Sequence, residues 1–404
     1  MTTYRSVLDE ARKPENRAFF APSFQVRIDG ENLPQNVLRD VIELKYIDGL
    51  TEIDRFELTV NNWDSDQKKF RFIGSEPDDY LTDSSAENKP YVLFQPCKKT
   101  VEIKLGYADN LVTMMLGNFT SMEPSFPSSG APTLTVTGLN ILHQFRRKKY
   151  SHSWINEKPS AIALNLATLT DDGEKRLPIP IGINEEAQGE ENPLDYTAQT
   201  NQYDVDFLLN LARRHSYEMV IQEANEESGT PRQIYFGPGS FARPPINYRL
   251  EWGRTLVDFN PVITSHNQVK SVRVNGWDRA ARESFHEVIN FDDDEMEGLN
   301  SNVQEFIQCD PREELVVDRP VFSREEAKRL ARDIMRDRAS SVIKARGTTI
   351  GLPELRAGTK VQIGELGARL SGDYLVTKTE HSFTDAGYQT RFEARLENLP
   401  EQAS

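Results

Sequence analysis

The sequence predicts a mainly β fold with an α+β insert, in which two antiparallel β-barrels are related by an internal duplication. Three observations carry this expectation. Apolar and polar residues alternate with period two toward both ends of the chain, apolar residues in the middle recur at helical spacing, and one hairpin pattern occurs twice in the same order. At 404 residues, 37% hydrophobic and 9% aromatic, the chain has material for two or three units with cores of their own.

Residues 1–22 are highly charged, contain Pro14 and read as an N-terminal arm. The first barrel spans residues 23–146. Its strands begin with Phe24, Val26 and Ile28, continue through Ile42–Tyr46 and Phe56–Val60, and resume at Val101, Ile103 and Leu105 after a polar insertion at 61–100. Two more strands, near Met115–Met122 and Thr133–Leu139, flank a turn from Pro124 to Gly130 whose Pro and Gly residues supply turn dihedrals. About six strands suggest closure, because a barrel removes the exposed edges of an antiparallel sheet.

Residues 147–248 read as a central α+β module. Pro159 suits the first turn of a helix carrying Ile162, Leu166 and Leu169, and a second helix over Asp204–His215 puts Phe207, Leu208 and Leu211 on one face. Short strands follow at Tyr217–Ile221 and Gln233–Phe236, while acidic, Pro/Gly-punctuated residues 171–200 read as a surface loop. The second barrel spans 249–398, with strands at Val269–Val274, Phe285–Phe291, Thr359–Ile363, Tyr374–Phe383 and Tyr388–Leu396. Its helix, 323–342, opens on a capping box of Ser323 and Glu326 and buries Leu330, Ala331 and Ile334. Residues 399–404 are a tail.

The duplication shows in the hairpins. Val101-Glu102-Ile103 leads to Gly117-Asn118-Phe119, a turn containing Gly130 and a strand ending at Leu139; Val361-Gln362-Ile363 leads to Gly372-Asp373-Tyr374, a turn at Gly387 and a strand ending at Leu396. Glycine permits a sharp entry and the aromatic after it packs inward.

Composition excludes several functions. A formal net charge of -15 opposes a phosphate-neutralising surface, so stable nucleic-acid binding is not expected, and the basic run Arg146–Lys149 reads as a solvated element end. Cys97 and Cys309 form neither a CxxC nor a disulfide framework, and the six histidines show no metal-ligand spacing, so no metal and no cofactor is expected. Neighbours such as His152 with Ser153, or Glu380 with His381, point to opposite faces of a strand and do not make acid/base pairs. The run Asp292–Glu295 with Glu297 and Gly298 lacks the ligand spacing of a calcium loop, and Gly237-Pro238-Gly239 lacks the lysine and helix of a phosphate cradle. The N-terminus has no apolar signal-peptide core and no stretch reaches membrane-spanning length, so synthesis in the cytoplasm without membrane insertion is expected.

Four segments resemble, in order, the late control protein D family, the hub proteins of contractile phage tails and related injection particles. They are Gly117-Asn118-Phe119 with Ser121–Val136, which includes Phe126 and Gly130; Gln199–Asp204 with Phe207-Leu208 and Ala212–Arg214; Leu256–Pro261 with Val272–Asp278, which includes Gly276, Trp277 and Asp278; and Gly351–Gly358 with Ser371–Tyr374, which includes Gly372 and Tyr374. Trp252 stands just before the third. These residues and Trp252 are read as motif positions with structural or interface roles, tryptophan being common at interface centres.

The resemblance implies two tube-like barrels per chain and a homotrimer with pseudo-sixfold symmetry. That hub adapts a sixfold inner tube to a threefold spike and lines the channel of a baseplate. Its partners would be other copies of itself, a separate spike protein, inner tube or tube-initiator proteins and baseplate wedge proteins. Larger relatives continue into a further barrel and a repetitive spike, whereas this sequence stops eight residues after Leu396, so a hub without its spike is expected. The alternative is a tail-associated peptidoglycan hydrolase, and a secreted carbohydrate-binding β-protein is disfavoured by the missing signal peptide.

Overall fold

The computed structural model describes residues 5–7, 21–78, 89–97, 99–108, 110–215, 217–224, 231–239, 248–266, 268–278, 281–293, 307, 311–317 and 321–398. The rest of the arm, the tail 399–404, Cys309 and residues 294–298 of the acidic run lie outside the described residues.

A half-apolar strand can hide its apolar residues on only one face, and the alternating segments become sheet for that reason. The first half contains β1 (Arg5–Ser6), β2 (Pro22–Ile28), β3 (Glu31–Asn32), a short helix α1 (Gln35–Leu38), β4 (Val41–Gly49) and β5 (Arg55–Asn61). A small hairpin, β6 (Trp63–Asp64) and β7 (Lys69–Phe70), sits in the polar insertion, and β8 (Thr100–Tyr107), β9 (Asn110–Ser125) and β10 (Thr133–Asn140) follow. Strict alternation along β5 and β10 sends Phe56, Leu58, Val60, Leu134 and Val136 into a core with Tyr46, Ile103 and Phe119. Each such side chain contributes roughly 1.5–3 kcal/mol when fully buried.

The central module contains β11 (Tyr150–Glu157), α2 (Pro159–Leu166), β12 (Thr170–Asp171), β13 (Glu174–Lys175), β14 (Ile181–Ile183), α3 (Glu185–Glu190), β15 (Leu194–Gln202), α4 (Asp204–Arg214), β16 (Tyr217–Gln222) and β17 (Gln233–Pro238). Residues 171–200, read from sequence as a loop, thus carry short elements of their own. The Pro and Gly residues there separate elements rather than prevent them. Trp154 of β11 stacks on Phe207 of α4 at 5.1 Å, in a core with Ile162, Leu166 and Leu208.

The second half contains β18 (Tyr248–Glu251), β19 (Leu256–Ile263), β20 (Ser271–Asp278), β21 (Glu283–Asn290), β22 (Glu313–Val316), α5 (Arg324–Ser340), β23 (Ile343–Ile350), β24 (Lys360–Gly364), α6 (Gly367–Leu370), β25 (Gly372–Thr384) and β26 (Gly387–Asn398). The Ser323 hydroxyl accepts from the Glu326 amide at 3.1 Å, and the Glu326 carboxylate accepts from the Phe322 amide at 3.0 Å, one residue earlier than in a regular capping box. β20 and β21, read from sequence as strands of the second barrel, instead form with β22 a separate sheet, which packs one face on α5 through Val272, Val274, Phe285 and Ala331.

Both halves contribute to one 14-stranded sheet. In the first half its strands run β4–β5–β10–β9–β8–β2, and in the second β19–β23–β26–β25–β24–β18, the same order with the same sequence of connections. The last pairs differ, since β2 meets β8 antiparallel while β18 meets β24 parallel. β1 adds parallel to β18, which brings Val7 of the arm into the second-half core.

Two irregularities recur. The ladder of β4 on β5 skips Ile42, as that of β19 on β23 skips Val257; the ladder of β9 on β10 skips Thr120, as that of β25 on β26 skips Thr377. The register also corrects the sequence alignment of the hairpins. Val101 pairs with Gly117, but its counterpart Val361 pairs with Tyr374 and not with Gly372. A slip of two residues keeps every side chain on its own face, so an alternating pattern does not reveal it.

Candidate functional site: the seam between the halves and the exposed faces

β25 is long enough to serve two neighbours. Residues 372–375 pair with β24 of its own half, and Lys378–Thr384 pair with β4 of the other, in seven residue pairs from Gly49 opposite Lys378 to Glu43 opposite Thr384. This seam encloses a buried polar cluster. Arg356, from the segment before β24, donates to the Asp48 carboxylate and the Tyr46 hydroxyl, and reaches the Met114 carbonyl at 3.2 Å. Asp48 also accepts from Thr379 and from the Ala357 amide, and Tyr46 donates to Asp54 at 3.0 Å.

Burial alone would lower the Arg356 pKa, yet it stands raised because Tyr46, Asp48 and Asp54 surround the guanidinium. Beside the cluster, His381 is fully buried. The Leu355 carbonyl, 3.0 Å from Nε2, can only accept, so Nε2 carries the proton and Nδ1 accepts from the Tyr388 hydroxyl at 2.8 Å. Tyr107 of β8 donates to the Gly351 carbonyl at 2.7 Å, a further tie between halves.

The motif residues divide into two groups. Gly117, Phe119, Gly130, Gly276, Gly372 and Tyr374 serve the fold. A Cβ on Gly117 would stand 2.0 Å from the Leu139 carbonyl oxygen, Gly276 lies under the Phe285 ring, and Gly130 holds a φ of +95° in its turn. Phe119 meets Phe56 at 5.5 Å and Phe94 at 5.6 Å, edge to face; Tyr374 is buried against Phe259, its hydroxyl donating to Leu370 O; Gly372 begins β25.

Phe126, Trp252 and Trp277 face outward, exposed by 54%, 59% and 51%. Phe126 extends an aromatic row through Phe70 to Trp63. Trp277 shares the uncovered face of β21–β20–β22 with exposed Val288, Leu315 and Val317, and Asp278 accepts from the Ala281 amide at 2.9 Å at the end of that strand.

The sequence reading missed Tyr46, Asp48, Arg356 and Thr379. Arg356 lies in the segment Gly351–Gly358, where Leu352, Leu355 and Ala357 surround it, but Glu354 beside it gives the stretch the look of a solvated turn. The histidine neighbours fall as the strand argument requires: His152 packs on Trp154, while Glu380 pairs outward with Arg391 as His381 turns inward. Within the basic run, Arg146 and Lys148 are paired with Asp206 and Asp171.

A cleft of about 820 Å³ lies between β15, the end of α4 and the start of α5, lined among others by Tyr196, His215, Phe322, Arg329 and Asp333. Burial, with Arg329 and Arg214 nearby, pushes His215 down to about 4, and burial raises Asp333 to about 6 against three neighbouring arginines. Among the described residues no group of His, Cys, Asp and Glu is placed to hold a metal ion, and no helix is long and apolar enough to cross a membrane.

Solved structures share this architecture. The 43 kDa tail protein of prophage MuSo2 from Shewanella oneidensis is 13% identical and aligns over 93% of this chain and 98% of its own at a TM-score of 0.62. A tail protein from Neisseria meningitidis, also 13% identical, aligns over 93% and 96% at 0.59. An Escherichia coli component of the type VI secretion system, described as structurally similar to bacteriophage T4 tail proteins, is 12% identical over 94% and 80% at 0.51. The mainly β architecture is therefore that of phage tail proteins, as the late control protein D resemblance implies. No curated protein matches the sequence. Residues 21–385 match the family described as the Alg8 N-terminal domain, and with most of the chain inside that match it belongs to this family.

Proposed function

We propose that the chain is a structural baseplate hub of a contractile injection system. Three copies form a pseudo-sixfold ring that adapts a sixfold inner tube to a threefold spike and lines the channel. The observation that carries this reading is the common strand order of the two halves with bulges at the same places, Ile42 with Val257 and Thr120 with Thr377. Such agreement supports an internal duplication, and a duplicated unit present three times provides six similar units around one axis.

In this reading the tube-like barrels are residues 23–146 and 249–398, and the module 147–248 stands between them in sequence. The partners are a spike protein, inner tube or tube-initiator proteins and wedge proteins. Exposed Phe126, Trp252 and Trp277 belong to contact surfaces, and the net charge of -15 suits a channel that releases acidic cargo. The protein is made in the cytoplasm and resides in the baseplate of a released or membrane-attached particle.

Native mass measurement and a cryo-EM map of the purified chain with its spike and tube partners test this. A trimer seated between a sixfold and a threefold layer is expected, and a monomer that joins neither partner would refute it. The hydrolase alternative would have to use the cleft, where the raised carboxyl of Asp333 resembles a general acid. Clearing of peptidoglycan in a zymogram, abolished by Asp333→Asn, would establish that reading instead.

A further inference from the structure

Among the described residues the sheet leaves two edges open that correspond to the two sides of the inner seam. β4 pairs with β5 on one side and lends its other side to β25. Its counterpart β19 pairs with β23, and among the described residues no strand pairs with its other side. β25 offers Lys378–Thr384 to β4, whereas its counterpart β9 pairs with β8 only as far as Asn118, and no described strand takes that side of residues 121–125. The two open edges lie at different places in one chain, which leaves β19 and the end of β9 available to a strand from another copy.

The bulges set the register. Laying Val257 on Ile42 and Thr120 on Thr377 puts Pro261 and Ile263 where Tyr46 and Asp48 stand, and Met122 and Pro124 where Thr379 and His381 stand. Ile263 then faces Met122, Pro261 faces Pro124, and Asn260 faces Ser125, as Asp48 faces Thr379, Tyr46 faces His381 and Lys45 faces Ser382 in the inner seam. Four positions that are buried and polar inside the chain are all apolar on the open edges. Pro124 is exposed, Ile263 is 37% exposed, and Met122 and Pro261 are half-buried.

The hydrogen-bond alternation adds a second difference. Thr264 donates to the Val342 carbonyl, so Pro261 directs its missing N–H toward the open edge of β19. Asn62 donates to the Pro132 carbonyl, which turns odd-numbered β10 residues toward β9 and leaves Pro124 directed at the open edge as well. Each proline removes a donor and discourages the addition of an arbitrary strand.

We propose that β19 of one copy lies antiparallel against residues 121–125 of β9 in the next, forming an outer seam that is apolar and donor-poor where the inner seam is polar and fully laddered. This rests on the ring reading above and names the strands that close it. The join covers Ile263, Val262 and Phe126, and its stability comes from apolar burial more than from a ladder, so it depends on closing all three contacts together.

The test is a cysteine pair, Asn260→Cys with Ser125→Cys, in the full chain carrying Cys97→Ser and Cys309→Ser. The corresponding inner pair, Lys45 and Ser382, is a close, non-hydrogen-bonded one, because Leu50 donates to the Thr377 carbonyl and sets the alternation there. Oxidation is expected to give covalently linked trimers on a denaturing gel, while Asn260→Cys with Glu123→Cys, out of register, gives none. A trimer by native mass without the cross-link overturns the strand assignment and leaves the ring standing. A chain that stays monomeric across a concentration series overturns both. Ile263→Asp is expected to abolish association with an unchanged melting temperature, and association that survives it also overturns the assignment.

Discussion

β4 and β19 occupy the same place in their halves, yet they are finished in opposite ways. β4 brings Tyr46 and Asp48 to a seam where Arg356, Thr379 and a network of hydrogen bonds await them. β19 brings Pro261 and Ile263 to an edge with no strand beyond it among the described residues. A contact made once, during folding of one chain, can bury a charge pair, because its partners are always present and fully satisfy it. A surface that must remain soluble before it meets a partner avoids buried charges awaiting neutralisation and avoids a free ladder, and apolar side chains with interrupting prolines meet both demands.

This contrast can be broken at the inner seam first. Asp48→Ala leaves the Arg356 guanidinium buried with its main counter-charge removed, and a loss of about 3–5 kcal/mol of stability is expected from urea unfolding. A loss under about 1 kcal/mol would mean that the cluster does not hold the halves together.

A smaller, pH-dependent effect is expected where the central module meets the second half. Burial raises Glu218 from 4.5 to about 7, against the pull of Arg395 and Arg213. Below about pH 4.5 the group is neutral in both states and costs nothing. As pH rises toward 7 the unfolded chain ionises first and stability falls, then levels off above that. Glu218→Gln should remove this decline, leaving the melting temperature unchanged at pH 4 and raised at pH 8. The smallest stability effect is expected at Trp277→Ala. An exposed side chain with no core role should change stability by about 0.5 kcal/mol or less, while assembly with the partners is impaired. Particle formation unaffected by this variant would remove Trp277 from the contact surface.

Much of the fold was legible because period two survives in single strands. The segments around Phe24–Ile28, Phe56–Val60 and Thr133–Leu139 form β2, β5 and β10, and the Ser323 capping box opens α5. The hairpin alignment failed by two residues because alternation is blind to even slips, and the bulges at Thr120 and Thr377 that fix it have no signature in composition. The site was less legible. The motif positions Gly117, Phe119 and Tyr374 are buried within one half each, whereas the residues of the seam come from Tyr46, Asp48, Arg356 and Thr379, more than 300 positions apart at the extremes. Charged and hydroxyl residues on a strand read as solvent-facing until another half covers them.

The sequence by itself determined many of the strands and the α5 cap, because each depends on neighbours within a few residues. Only the tertiary structure decided that β4 crosses to β25, that β19 and the end of β9 stay open among the described residues, and that the same position carries Asp48 in one half and Ile263 in the other. Strand partners are chosen by long-range burial and register, which local alternation permits but does not specify.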